Sequence, residues 1–90
     1  MAAFTAYLAE FLGTFLLLIS ILATGNALVI GLTLSLIIFL VGGLSGANVN
    51  PAVSLAMLIN GSLSVTDFVV YSIVQLAGGA AAVYVFNALA

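Results

Sequence analysis

Apolar residues run almost unbroken along this 90-residue chain, and polar ones gather in short clusters. The first cluster is "TGN", Thr24 to Asn26. It parts an apolar stretch from about Phe4 to Thr24 from a second one, from about Ala27 to Leu44. The next is "SGANVNPAVS", residues 45–54, which holds the chain's single proline. "NGS", Asn60 to Ser62, precedes a last stretch from about Ser64 to Leu89. A helix rises ~1.5 Å per residue, so ~20 residues cross the ~30 Å of a bilayer's hydrocarbon. Each long stretch meets that length. Pro51 to Ile59 is helix-compatible but reaches only about 13 Å, roughly half a membrane. The pattern predicts a span, a second span, a half-helix and a third span. A link as short as Thr24–Asn26 makes the first two spans an antiparallel hairpin.

Local signals place the helix ends. Asn is a preferred N-cap, and proline suits the first helical position, so the half-helix starts at Pro51 with Asn50 as its cap. Gly61 suits a left-handed C-terminal cap. Ser64 and Asp67 are spaced as an acidic variant of the capping box. Asp67 also puts negative charge at the positive end of a helix, which reads as an interfacial cap residue.

Gly46 to Val49 belongs to neither neighbouring helix. Irregular backbone survives at membrane depth only under protein cover or beside a water-filled cavity. One placement is an interfacial loop followed by a surface helix. Residues 51–59 carry no charged face for that role. The other placement dips the loop into the bilayer and brings the half-helix back out. Its positive end then points at the membrane centre, beside free carbonyls. That geometry repels cations and guides a neutral polar molecule.

Composition changes the picture by what is missing. Hydrophobic residues make up 67% and only Glu10 and Asp67 carry charge, against about a quarter charged in soluble domains. Lipid is the natural solvent, and an integral protein of the cytoplasmic (plasma) membrane is expected. With no Lys, Arg or His, nothing can grip a nucleic acid or an acidic substrate. With no Cys either, the usual bases, nucleophiles and metal ligands are absent, so no enzyme, metal or cofactor is expected. A cleavable leader needs a basic start, which "MAAFTAY" lacks. Orientation is normally set by basic loop residues. This chain has none, so it inserts both ways round or another protein orients it.

"SGANVNPAVS" resembles the first Asn-Pro-Ala signature of the major intrinsic proteins, the aquaporins and glycerol facilitators. "AEFLGTFLL" (Ala9 to Leu17) is similar to that family's opening span with its buried glutamate, here Glu10. "YSIVQLAGGAAA" (Tyr71 to Ala82) is similar to its third span. The resemblance covers nearly the whole chain and implies an all-α membrane protein. Three transmembrane helices and one re-entrant half-helix would make half of the aquaporin fold. It matches the first of the family's two inverted halves. Asn48 stands where the family usually has His, and the first connection is shorter than usual. The filter arginine follows the second signature, and Val53 holds the equivalent place here.

The resemblance implies a passive channel for water and small neutral solutes such as glycerol. Three spans and a half-helix have an open side. The pore would be completed by a second, inverted copy, as an antiparallel homodimer with four such pairs on the family's tetrameric habit, or by a complementary second half. Asn50 would donate its amide to the solute. The carbonyls of Gly46, Ala47 and Asn48 would line the path, and Pro51 and Ala52 start the half-helix. Ile30, Leu17 and Leu34 match pore-wall positions, although Ile30 reads equally as a lipid- or helix-facing residue. An aliphatic Ile30 and no arginine make a less polar constriction, which leans towards glycerol as well as water. Glu10 would brace the loop. Its rival role is the proton-coupled carboxylate of a small dual-topology exporter. A third reading is a purely structural oligomerising membrane protein. Small residues at Gly78 and Ala82, Ala77 and Ala81, and Ala9 and Gly13 permit close helix approach. Tyr71, Tyr84 and Phe86 read as packing or interface aromatics.

Overall fold

A computed structural model describes residues 3–90. Met1 and Ala2, which open the stretch on which the leader reading turns, lie outside the described residues. Those residues form four helices: α1 (Phe4–Thr24), α2 (Ala27–Ser45), α3 (Pro51–Ile59) and α4 (Val65–Leu89). Three of them, α1, α2 and α4, are long and apolar enough to cross a membrane.

The turns follow from side-chain chemistry. Gly25 closes α1 in the left-handed region at φ 55°, its N–H bonded to the Ile21 carbonyl. Thr24 Oγ1 accepts the Asn26 N–H at 3.2 Å, and Asn26 Oδ1 accepts the Val29 N–H at 3.1 Å. Two residues thus end one helix and cap the next. At the end of α3, Ser62 N–H bonds to the Met57 carbonyl and Gly61 N–H to the Leu58 carbonyl. With Gly61 at φ 84°, this is the Schellman arrangement, which satisfies the last carbonyls of a helix.

Packing centres on α1. It runs antiparallel to α2 and parallel to α4, with α3 lying against α4. The parallel sense shows in the cross-contacts: Tyr7 meets Asp67, Glu10 meets Gln75, and Thr14 lies beside Gly78. A Cβ at Gly78 would sit 2.6 Å from the Phe11 carbonyl oxygen. Only a glycine lets the α1 and α4 backbones approach that closely, and Ala82, one turn on, is fully buried. Gly13 does the same on another face of α1, where a Cβ would fall 2.8 Å from Val49 Cγ1. Ala77 is exposed and takes no part in the α1 seam. The small apolar core is Ile37, Ala47 and Val49, with Leu17, Leu34 and Val41 around it.

The molecule measures 39 × 24 × 20 Å. Its length spans a bilayer, and its cross-section is about two helix diameters each way. Asp67, the expected cap residue, is buried at 5% exposure against α1. Its N–H does bond to Ser64 Oγ at 3.1 Å, so the cap forms, but Tyr7 OH donates to Oδ1 at 2.6 Å. A long-range partner has drawn this end of α4 inward. Tyr71 is likewise buried, while Tyr84 is exposed.

Candidate functional site: a braced loop beside a groove

Residues 46–49 join α2 to the half-helix through an unusual backbone. Gly46 has φ 86°, and Ala47 and Val49 both have φ 48°. Left-handed conformations strain any residue with a Cβ, and a β-branched one most. Each such residue costs about 1–3 kcal/mol and persists only where its surroundings over-determine it.

Glu10 supplies most of that determination. Its side chain is completely buried. Oε2 accepts the Ser45 hydroxyl at 2.6 Å and the Asn48 N–H at 3.0 Å. Oε1 accepts the Val49 N–H at 2.8 Å and Gln75 Nε2 at 2.8 Å. Ser45 Oγ in turn accepts the Ala47 N–H at 3.1 Å. Hydrogen bonds to a carboxylate are roughly twice as strong as neutral ones. Behind this brace, Ser54 Oγ accepts Gln75 Nε2 at 2.9 Å and Asn48 Nδ2 at 3.1 Å. The Asn48 side chain therefore faces inward to α3.

The brace has a geometric consequence. In a planar trans peptide, the N–H and the preceding C=O point in opposite directions. There are no cis peptides among the described residues. With the amides of Asn48 and Val49 turned to Glu10, the carbonyls of Ala47 and Asn48 point away from it. The Ala47 amide, held by Ser45, likewise turns the Gly46 carbonyl away from Ser45. Among the described residues these three carbonyls accept no protein hydrogen bond. Three successive acceptors thus point away from Glu10 and Ser45.

The half-helix begins directly after them. Asn50 caps it in the extended region, its Oδ1 accepting the Ala52 N–H at 2.7 Å, with Pro51 at the first helical position. The amide nitrogen of Asn50 remains free to donate. Beside it lies a groove of about 430 Å³, lined by Thr14, Leu17, Leu18, Ile21, Val49, Asn50, Pro51, Gln75, Leu76, Gly79 and Ala80. The structure thus brings Leu17 to Asn50 and Pro51. Leu34 packs on the same core from α2. Ile30 is partly buried in the first turn of α2 and does not line the groove, and Val53 is half-exposed on α3. Thr14 Oγ1 and Gln75 Oε1, both on groove-lining residues, are buried without a partner among the described residues.

Ser45, Ser54, Gln75 and Tyr71 were not singled out from the sequence as site residues. One signal was available: Asp67, Tyr71, Gln75, Gly78 and Ala82 recur at three- and four-residue intervals on α4 and form its buried stripe. A polar stripe on an otherwise apolar span is a face turned to protein.

The profile of the major intrinsic protein family matches residues 1–90. The chain belongs to the major intrinsic protein family. It is 44% identical to glycerol uptake facilitator protein-like 6 of Lactiplantibacillus plantarum over 81 residues, 80% of this chain and 38% of that protein. It is 37% identical to aquaporin Z of Brucella melitensis over 97 aligned positions, 91% of this chain and 42% of that protein. Aquaglyceroporin AqpS of Rhizobium meliloti is 35% identical over 81% of the chain. The chain spans about two fifths of the length of these major intrinsic proteins. No solved structure matches it. Family and helices together make it an integral membrane protein with half of the aquaporin architecture.

Proposed function

We propose that this chain supplies half of a passive channel for water and small neutral solutes such as glycerol. The observation that supports the reading is the brace of Glu10 and Ser45, which turns the Gly46, Ala47 and Asn48 carbonyls away from its own oxygens and leaves them without protein donors, next in sequence to a free Asn50 amide. Acceptors in file and a donor at a helix N-terminus suit a neutral molecule that both gives and takes hydrogen bonds. The positive end of α3 repels cations at the same point. Leu17 supplies the apolar wall beside Asn50, Leu34 packs on the core behind the loop, and Val53 holds the position equivalent to the filter arginine's. The similarity to an aquaporin and to a glycerol facilitator supports both solutes.

The pore is completed by a second half. A slab about two helices thick leaves the groove open. With no Lys or Arg to bias insertion, the second half is an inverted copy of this chain, four such pairs forming the oligomer in the cytoplasmic membrane. Reporter tags at both termini test this: the reading expects each tag on both sides of the membrane. A single orientation would overturn the antiparallel pair and leave a complementary half from another chain.

The exporter reading is disfavoured by geometry. Both Glu10 oxygens are occupied by internal donors and the side chain has no solvent contact. A proton-coupling carboxylate needs a route to water. Osmotic shrinkage of proteoliposomes in glycerol tests solute range: shrinkage followed by fast reswelling is expected, and reswelling no faster than in empty liposomes would restrict the channel to water.

A further inference from the structure

The end of α2 contains a broken helical hydrogen bond whose two halves go to different partners. Had α2 continued, the Ser45 carbonyl would accept the Val49 N–H, four residues on. Instead the Val49 N–H goes to Glu10 Oε1 at 2.8 Å. The Ser45 carbonyl goes to Tyr71 OH, from α4, at 2.8 Å. Glu10 and Tyr71 are both buried, so water does not replace either partner, and an orphaned carbonyl would favour re-forming the helix. Glu10 and Tyr71 therefore act on the same bond from opposite sides.

Tyr71 is itself held. Its ring meets Tyr7 edge-to-face, with centroids 6.0 Å apart and planes at 89°. Tyr7 OH donates to Asp67 Oδ1 at 2.6 Å. Asp67 is fixed by the Ser64 cap at the start of α4. The chain's two carboxylates thus bracket the loop: Glu10 grips its amides, and Asp67 sets the ring stack that delivers a hydroxyl to its preceding carbonyl.

We propose that Tyr71 is a positioning residue for the re-entrant loop, aligned by Tyr7 and Asp67. It stops α2 at Ser45 and so holds the three outward carbonyls in register for the passing solute. Its consequence for permeation rests on the channel reading above; its action on the loop does not.

The test uses the full chain in lipid nanodiscs and in liposomes. Tyr71→Phe keeps the ring stack and removes the hydroxyl. It should speed hydrogen exchange of the Asn48 and Val49 amides about tenfold, the scale of one orphaned buried acceptor, and leave exchange in mid-α4 unchanged. Tyr7→Phe, which keeps the ring contact and loses the Asp67 bond, should give a smaller shift at the same two amides. In liposomes, Tyr71→Phe should lower water permeability per inserted copy and change the glycerol-to-water ratio. Tyr84→Phe, on an exposed ring, should change neither readout. Wild-type exchange at Asn48 and Val49 in Tyr71→Phe would overturn the proposal. So would a uniform rise across all helices. Should Tyr71→Phe fail to insert, Tyr7→Phe decides alone: faster exchange confined to residues 48 and 49 supports the clamp, and unchanged exchange there sinks it. Faster local exchange in a protein whose wild type conducts nothing would keep the clamp and remove the channel.

Discussion

Two apolar helices of similar length, α1 and α2, live in opposite surroundings. α1 buries Ala6, Ala9, Glu10, Gly13, Thr14 and Ser20, whereas Ile37 is the buried residue of α2. α1 touches helices on two sides and braces the loop; α2 leans on α1 with one edge and shows the rest outward. Phe39 of α2 is 84% exposed. Mean hydropathy marks both as spans and does not by itself say which face meets protein, because lipid and a protein interior are both apolar. The difference lies in the few polar or small residues. Where they meet a neighbouring element, as Gly13 meets the loop and Thr14 meets α4, that face is protein. The hydroxyls of α2 at Thr33 and Ser35 instead turn back on carbonyls of their own helix, at Val29 and Gly31.

This contrast can be broken by mutation, most severely at α1. Glu10→Gln replaces a carboxylate that takes only hydrogen bonds with an amide that presents two donors to the loop's own donors. A destabilisation of about 3 kcal/mol or more is expected, read as loss of the folded oligomer on size-exclusion chromatography. An assembled protein that has merely lost proton coupling would revive the exporter reading. Gly78→Val comes next. Its added atoms fall on the Phe11 carbonyl, and forced separation of α1 and α4 should cost about 1–3 kcal/mol, measured by detergent unfolding. Asn50→Ala removes the cap of α3, for about 1 kcal/mol. Its expected signature is reduced permeability in a protein that still assembles. Phe39→Leu on the outer face of α2 should change the protomer's stability by less than about 0.5 kcal/mol. A larger drop in oligomer stability there would show that α2's outer face meets protein, and would narrow the contrast between the helices.

The helices were legible because long apolar stretches and strong punctuation agree. Gly25 with Asn26, Asn50 with Pro51, and Gly61 each solve a local backbone problem with residues adjacent in the chain. The polar network was not legible by the same means. Tyr7 and Asp67 are 60 residues apart and Glu10 and Gln75 are 65 apart, so no local rule connects them. Asp67 shows the difficulty. Its capping signature is satisfied equally by an exposed or a buried carboxylate, and the contact with Tyr7 lies across the seam, out of reach of that local signal. Ala47 and Val49 carry no glycine to announce their left-handed backbone; Glu10 imposes it from α1. Glu10's bonds to the loop backbone and Asn50's place follow from the family resemblance, whereas the Ser45 and Gln75 partners of Glu10, Tyr71's hydroxyl and the inward turn of Asn48 arise only from how the helices pack.

The central claim is that a braced half-loop, paired with another half, makes a water path. Stopped-flow light scattering of proteoliposomes in a sucrose gradient tests it most directly. Faster shrinkage than in empty liposomes, with a weaker temperature dependence, is the predicted result. Shrinkage at the rate of empty liposomes, from a preparation whose oligomer is intact, would contradict it.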